Sequence, residues 1–126
     1  NVASVKQLSP FRYPGGKTWL VPAVKCWLSQ KGTRPGHFVE LLAGGGIVGL
    51  TVAAECLADH VTLIELDPDV ASVWQTIFSD DAEWLARQIL SFDLTYENVR
   101  AVLSTPQDTL RKRAFQTILK NRTVRG

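Results

Sequence analysis

His37-Phe-Val-Glu-Leu-Leu-Ala-Gly-Gly-Gly-Ile-Val-Gly-Leu50, written HFVELLAGGGIVGL, passes from an apolar run through three consecutive glycines into a second apolar segment. The run His37–Leu42 has the length of a buried strand, and Ile47–Leu57 reads as a helix. Fourteen positions after the last of the three glycines, the β-branched stretch HVTLIEL (His60–Leu66) predicts a second strand. Strand, glycine turn, helix and strand in that order make a right-handed βαβ unit with a parallel pair. Two strands are few for a doubly wound sheet, which is normally covered on both faces. The expectation is therefore a partial α/β sheet whose remaining strands lie outside these residues.

Working outward, residues 17–30 predict a helix carrying Trp19, Leu20, Val24, Trp27 and Leu28, with Pro22 starting or kinking it. Lys31–Gly36 is a turn cluster. Past the second strand, Asp67 is placed to cap a helix that has Pro68 in its first position and Val70, Val73, Trp74 and Ile77 on one face. Trp84, Leu85, Ile89 and Leu90 mark another helix. Thr95 begins a further one, with Asn98 as the rival start. Thr105-Pro106 opens the last, striped by Leu110, Ala114, Phe115 and Ile118. The second half of the chain is thus rich in helix.

The 126 residues are 45% hydrophobic and 21% charged, ordinary values for a globular protein. No apolar run reaches membrane-spanning length and no signal-peptide pattern is present, so a cytoplasmic setting without membrane contact is expected. The first residue is Asn rather than Met, and the expectation is a chain that starts inside a longer gene product. Cys26 and Cys56 lack metal-ligand spacing and are expected to be reduced, structural thiols. His37 and His60 are isolated, so no metal site is expected. Six basic residues and no acidic one follow Leu110, whereas the first 110 residues carry eight basic against twelve acidic groups. Such a split hints at a polyanion near the C-terminal part, against the plainer reading of a solvated helix face.

Gly16-Lys17-Thr18 ends like a phosphate-binding loop, but that loop needs a glycine where Phe11 stands, and no strand leads in. The glycines Gly44, Gly46 and Gly49 fit G-x-G-x-x-G, and Glu65 closes the next strand nineteen positions after Gly46. Glycines let backbone approach a ligand, the helix start offers unpaired N–H groups, and Glu65 can accept from both hydroxyls of a ribose. Glu40 stands four residues before Gly44, where a carboxylate would repel a pyrophosphate. It suits a ligand with a positive end, such as the ammonium of S-adenosylmethionine. A carboxylate that merely caps the turn is the plainer alternative.

YPGGK (Tyr13–Lys17), FVELLAGGGIVGL, LIELDPDVASVW and AFQTILKNRTVRG occur in the order seen in the Dam-like class of DNA adenine-N6 methyltransferases, which the chain resembles over most of its length. The resemblance implies a partial Rossmann-like S-adenosylmethionine-dependent methyltransferase fold. Residues 1–93 would form its cofactor-binding part, and residues 94–126 the helical start of a DNA-recognition region. Tyr13 would pack on the cofactor, and Lys17 would line the pocket shared by cofactor and target. Glu40, Gly44 and Gly46 match the acidic–glycine loop, and Glu65 matches the ribose-binding acid. Lys120, Arg122 and Arg125 would meet double-stranded DNA.

Two departures stand out. Leu41 replaces the usual proline. The Asp-Pro-Pro-Tyr type motif that orients the flipped adenine does not occur in the 126 residues. No catalytic residue is therefore assigned, and the expectation is a truncated portion, inactive alone and prone to self-association through the bare edge of its first strand. The alternatives are an NAD-dependent oxidoreductase domain, from the glycine pattern, and a non-enzymatic DNA-binding module.

Overall fold

The computed structural model describes residues 1–12 and 16–124, and the chain packs as two compact units, residues 1–65 and 66–126. The 93/94 boundary expected above was drawn by expected function, whereas this division is one of packing. Among the described residues the chain has a two-stranded parallel sheet and six α-helices, a mixed α/β composition.

The first unit is built on the predicted βαβ order. Strand β1 (His37–Glu40) pairs in parallel with β2 (His60–Leu63), His37 opposite His60 and Glu40 opposite Leu63. Both strands are shorter than the sequence predicts. The ladder nevertheless runs on: Ile64 N–H donates to Glu40 O (2.9 Å) and Ala43 N–H to Ile64 O (2.8 Å). Leu42 leaves strand geometry because its φ is +52°, in the left-handed region.

Between the strands runs α2 (Ile47–Ala54), introduced by Gly46 at φ +63°. Its sequence is almost wholly apolar, and Ile47, Val48, Gly49, Thr51 and Val52 are buried. The helix stops before the predicted Leu57. Leu57 N–H donates back to Val52 O (2.9 Å), and Cys56 takes φ +53° to allow that closure.

Helix α1 (Val21–Ser29) has Pro22 in its first turn, where a missing N–H costs nothing, and a 3-10 turn over Lys17–Leu20 precedes it. Val21 and Leu28 are its buried residues. Trp19 and Trp27, expected on the core stripe, are instead 65% and 50% exposed. The core gathers Val21, Ile47 and Val48 at one end and Leu28, Val52 and Ala58 at the other, with Phe38 touching both groups. Phe38 and Val61 thus face the helices, while His37, Val39, His60 and Thr62 alternate to the opposite, exposed face. Cys26 and Cys56 are free, as expected, but exposed rather than buried.

The second unit contains α3 (Pro68–Ile77), α4 (Ala82–Ser91), α5 (Tyr96–Ser104) and α6 (Leu110–Thr123). Asp67 caps α3 by accepting from Asp69 N–H at 2.9 Å, and Thr95 caps α5 by accepting from Asn98 N–H. The last helix starts later than Thr105-Pro106 predicts. Thr109 supplies its cap by accepting from Lys112 N–H, and Thr105 instead gives its hydroxyl to Ala101 O at the end of α5.

Val73 and Ala114 are fully inaccessible, and Val70, Trp74, Leu85, Phe115, Ile118 and Leu119 complete this core. Burying each larger aliphatic contributes about 1.5–3 kcal/mol. Leu110, Ile89 and Leu90, expected on apolar stripes, are exposed. Among the described residues no helix is long and apolar enough to cross a membrane.

Candidate functional site

A cavity of about 510 Å³ opens in the first unit over the glycine turn, lined by residues 41–47, Glu65, Gly16, Lys17 and Thr18, with Gln7, Ser9 and Phe11 on the remaining wall. That volume lies in the range of small-molecule sites. The parallel pairing brings this lining together. Because β1 and β2 run the same way, the glycine turn after β1 and Glu65 after β2 emerge at the same end of the sheet.

Two carboxylates hold the turn. Gly44 N–H donates to Glu65 Oε2 at 2.6 Å, and Gly49 N–H in the first turn of α2 donates to Glu40 Oε2 at 2.7 Å. Both bonds are short and charge-assisted, and the second sits where the helix dipole favours a negative charge. Gly46 N–H closes the turn on Ala43 O (2.8 Å). Glycine is required at Gly44 (φ +52°) and Gly46 (φ +63°), where a Cβ would be strained. Gly49 is needed for space. A Cβ there would meet Leu63 Cδ2 at 2.5 Å, Glu40 Oε2 at 2.9 Å and Val61 Cγ1 at 3.2 Å.

Glu40 is only 5% exposed, and a buried carboxylate needs compensation. Lys17 supplies it. Its ammonium lies 2.8 Å from Glu40 Oε1 and donates to Leu41 O (3.2 Å) and Leu42 O (2.9 Å). The approach to Oε1 is that of an ion pair rather than an aligned hydrogen bond, since Oε1 has no hydrogen-bond partner among the described residues. The positive partner that the sequence argument gave to a ligand is here the protein's own lysine.

Of the six predicted cofactor-binding residues, Lys17, Gly44, Gly46 and Glu65 line this cavity, whereas Glu40 is outside the lining and bonded to α2. Tyr13 lies outside the described residues. Sequence reasoning missed the Leu41 and Leu42 carbonyls and the wall formed by Gln7, Ser9 and Phe11. A leucine carries no signal of a left-handed backbone. The close approach at Gly49, by contrast, was encoded in the third glycine of the pattern.

The predicted DNA-contacting residues belong to the second unit. Lys120 and Arg122 are exposed in the last turn of α6, and Arg125 lies outside the described residues. Two positions apart, Lys120 and Arg122 point about 200° apart around the helix. Arg111, Lys112 and Arg113 of the terminal cluster pair with Asp81, Asp108 and Asp69 respectively. Arg111 also lies over the Trp84 ring, 4.5 Å from its centroid. The hydrogen bond from Lys112, with the Asp108 backbone N–H and the Lys112 charge, holds the exposed Asp108 carboxyl below its ordinary range.

No group of three or more His, Cys, Asp or Glu side chains suited to a metal ion occurs among the described residues. No protein-family model, curated protein or solved structure matches the chain.

Proposed function

We propose that the chain carries the methyl-donor site of an S-adenosylmethionine-dependent DNA adenine-N6 methyltransferase with a Rossmann-like fold. The observation that carries the reading is the pair of carboxylate–amide bonds, Glu65 to Gly44 N–H and Glu40 to Gly49 N–H. A dinucleotide would lay its pyrophosphate over this turn and claim such amides for phosphate oxygens. Here acidic oxygens already occupy them, and a phosphate would meet two like charges. A nucleoside whose charged end is zwitterionic meets no such penalty. Glu65 stands at the cavity wall for a ribose, and the lysine–glutamate pair serves the amino-acid end.

Methyl transfer itself would be in-line attack by the adenine amine on the sulfonium methyl, governed by positioning. The groups that orient the adenine are absent from the 126 residues, so the proposal for this chain is capture of the donor rather than the complete transfer. Exposed Lys120 and Arg122 are proposed to contact DNA phosphates.

Calorimetric titration with S-adenosylhomocysteine and with NAD tests the reading. Saturable binding of the first and not the second is expected, and Glu65→Gln should weaken it by about tenfold or more. Binding of NAD alone would favour an oxidoreductase domain. Binding of DNA with neither nucleotide would favour a non-enzymatic module.

A further inference from the structure

The Lys17 ammonium occupies a seat with the features of a small cation site. Two backbone carbonyls, Leu41 O and Leu42 O, accept from it at 3.2 and 2.9 Å, and the carboxylate of Glu40 faces it at 2.8 Å. Glu40 is 5% exposed, and its Oε1 has no hydrogen-bond donor among the described residues. Leu42 holds the left-handed backbone in which its carbonyl meets this ammonium, a conformation disfavoured for a residue with a Cβ. A strained carbonyl and a buried acid thus converge on one point. The side chain that fills it reaches in from the 3-10 turn over Lys17–Leu20, and Lys17 is itself 29% exposed.

We infer that this is a seat for a primary alkylammonium, filled in the unliganded protein by Lys17 and yielded to the ammonium of an incoming zwitterionic ligand. Glu40 is committed to the helix through Oε2, so only Oε1 and the two carbonyls are available to a cation. They cannot serve two ammonium groups at once without placing like charges in contact. As the ligand takes the seat, Lys17 turns outward along its flexible stem into solvent. Lys17 thereby both holds the empty turn together and lowers the apparent affinity for any ligand that must replace it. A ligand without an ammonium escapes that competition.

Only the nucleoside arm of the test rests on the methyl-donor reading. In the first arm, Lys17→Met and Lys17→Ala are unfolded by heat in ethylammonium chloride and in sodium chloride at matched ionic strength. Both variants should melt below the parent. Ethylammonium should raise their midpoints saturably, without doing so for the parent or for Lys17→Met combined with Glu40→Gln. Absence of specific rescue in both variants overturns the inference. A variant that fails to fold without ethylammonium but folds in its presence supports it.

In the second arm, S-adenosylhomocysteine and methylthioadenosine, which lacks the amino-acid end, are titrated into the parent and Lys17→Met. Their affinity ratio should move toward S-adenosylhomocysteine by at least about tenfold in the variant. An unchanged or opposite ratio means that Lys17 is a static prop or a direct ligand contact, and the displacement is wrong. Should neither nucleoside bind the parent, the methyl-donor proposal fails, and the seat stands or falls on ethylammonium alone.

Discussion

Gly49→Ala measures how closely α2 presses on the sheet. The added methyl would sit 2.5 Å from Leu63 Cδ2, 2.9 Å from Glu40 Oε2 and 3.2 Å from Val61 Cγ1. Leu63 can rotate its terminal carbons away, at the cost of overpacking its neighbours by about 1–3 kcal/mol. Glu40 has less room, because the same Oε2 accepts from Gly49 N–H at 2.7 Å within a buried setting. Lengthening that bond puts a further 1–3 kcal/mol or so at risk. Replacing glycine by alanine inside a helix returns roughly 0.5–1 kcal/mol. The balance is a loss of about 1–5 kcal/mol, centred near 3, read as a lower urea midpoint at an unchanged slope and as faster hydrogen exchange at the α2 amides. Two other glycines calibrate it. A Cβ at Gly36 meets nothing within 4 Å, so Gly36→Ala should stay within about 0.5 kcal/mol of the parent. Gly32 is equally open but has φ +70°, so alanine there should cost about 1–2 kcal/mol through backbone conformation alone. If Gly49→Ala proves as harmless as Gly36→Ala, the tight contact of helix and strands is refuted, and with it the reason for the third glycine.

Thr109→Ala should cost α6 about 1 kcal/mol through loss of its cap on Lys112 N–H, as measured by urea unfolding. Arg113→Ala should cost less than about 1 kcal/mol despite the 2.6 Å contact, because both side chains of the Arg113–Asp69 pair are about half exposed, and a double-mutant cycle should show the coupling shrinking with salt. If the proposed DNA and methyl-donor sites are right, neutralising Lys120 and Arg122 together should reduce the salt slope of DNA binding by about 2, leaving S-adenosylhomocysteine affinity as it was. Loss of both ligands would mark these residues as structural. Among the described residues the sheet has only two strands, and Val39, Leu41 and Leu42 are exposed; together these predict concentration-dependent association, and a sedimentation coefficient constant from micromolar to millimolar protein would exclude it.

Reading HFVELLAGGGIVGL as strand, turn and helix works because each signal there is local. Glycines permit positive φ, β-branched and aromatic residues favour extension, and an apolar octet must be buried. Helix caps were legible on the same terms at Asp67 and Thr95, where an oxygen acceptor precedes the first turn. The misreadings share a different cause. At Thr105-Pro106 the sequence offers a start signal as good as the one at Thr109. The choice was made by Thr105 bonding back to Ala101 O, a preference that depends on where α5 ends. Trp19, Trp27 and Leu90 fit helical stripes yet lie exposed, since periodicity says which face a residue shares and not whether anything covers that face. Cys26 and Cys56 are expected inside from the general tendency of free cysteine to be buried, and both lie exposed.

At the cavity, the acids were legible and their partner was not. Glu40 and Glu65 could be placed from strand ends and spacing, whereas the Lys17–Glu40 pair joins residues 23 positions apart across a segment with no repeating pattern. Finding the pair changes what the carboxylates mean. In a dinucleotide site the turn's amides wait for phosphate, and binding completes their hydrogen bonds. Here Gly44 and Gly49 are satisfied by the protein's own acids, so the turn is formed without a ligand, and the buried charge of Glu40 is balanced by an ammonium. Stability and recognition therefore draw on the same groups. Amidation of Glu40 weakens the hold on α2 and the attraction for any cation together. Glu65 accepts from Gly44 N–H at the cavity wall and is less deeply buried than Glu40. Substitutions at Glu40 should thus move the unfolding midpoint more than those at Glu65. The reverse order would mean that the bond to Gly49 contributes little, and that the acid beneath the glycines serves the ligand alone.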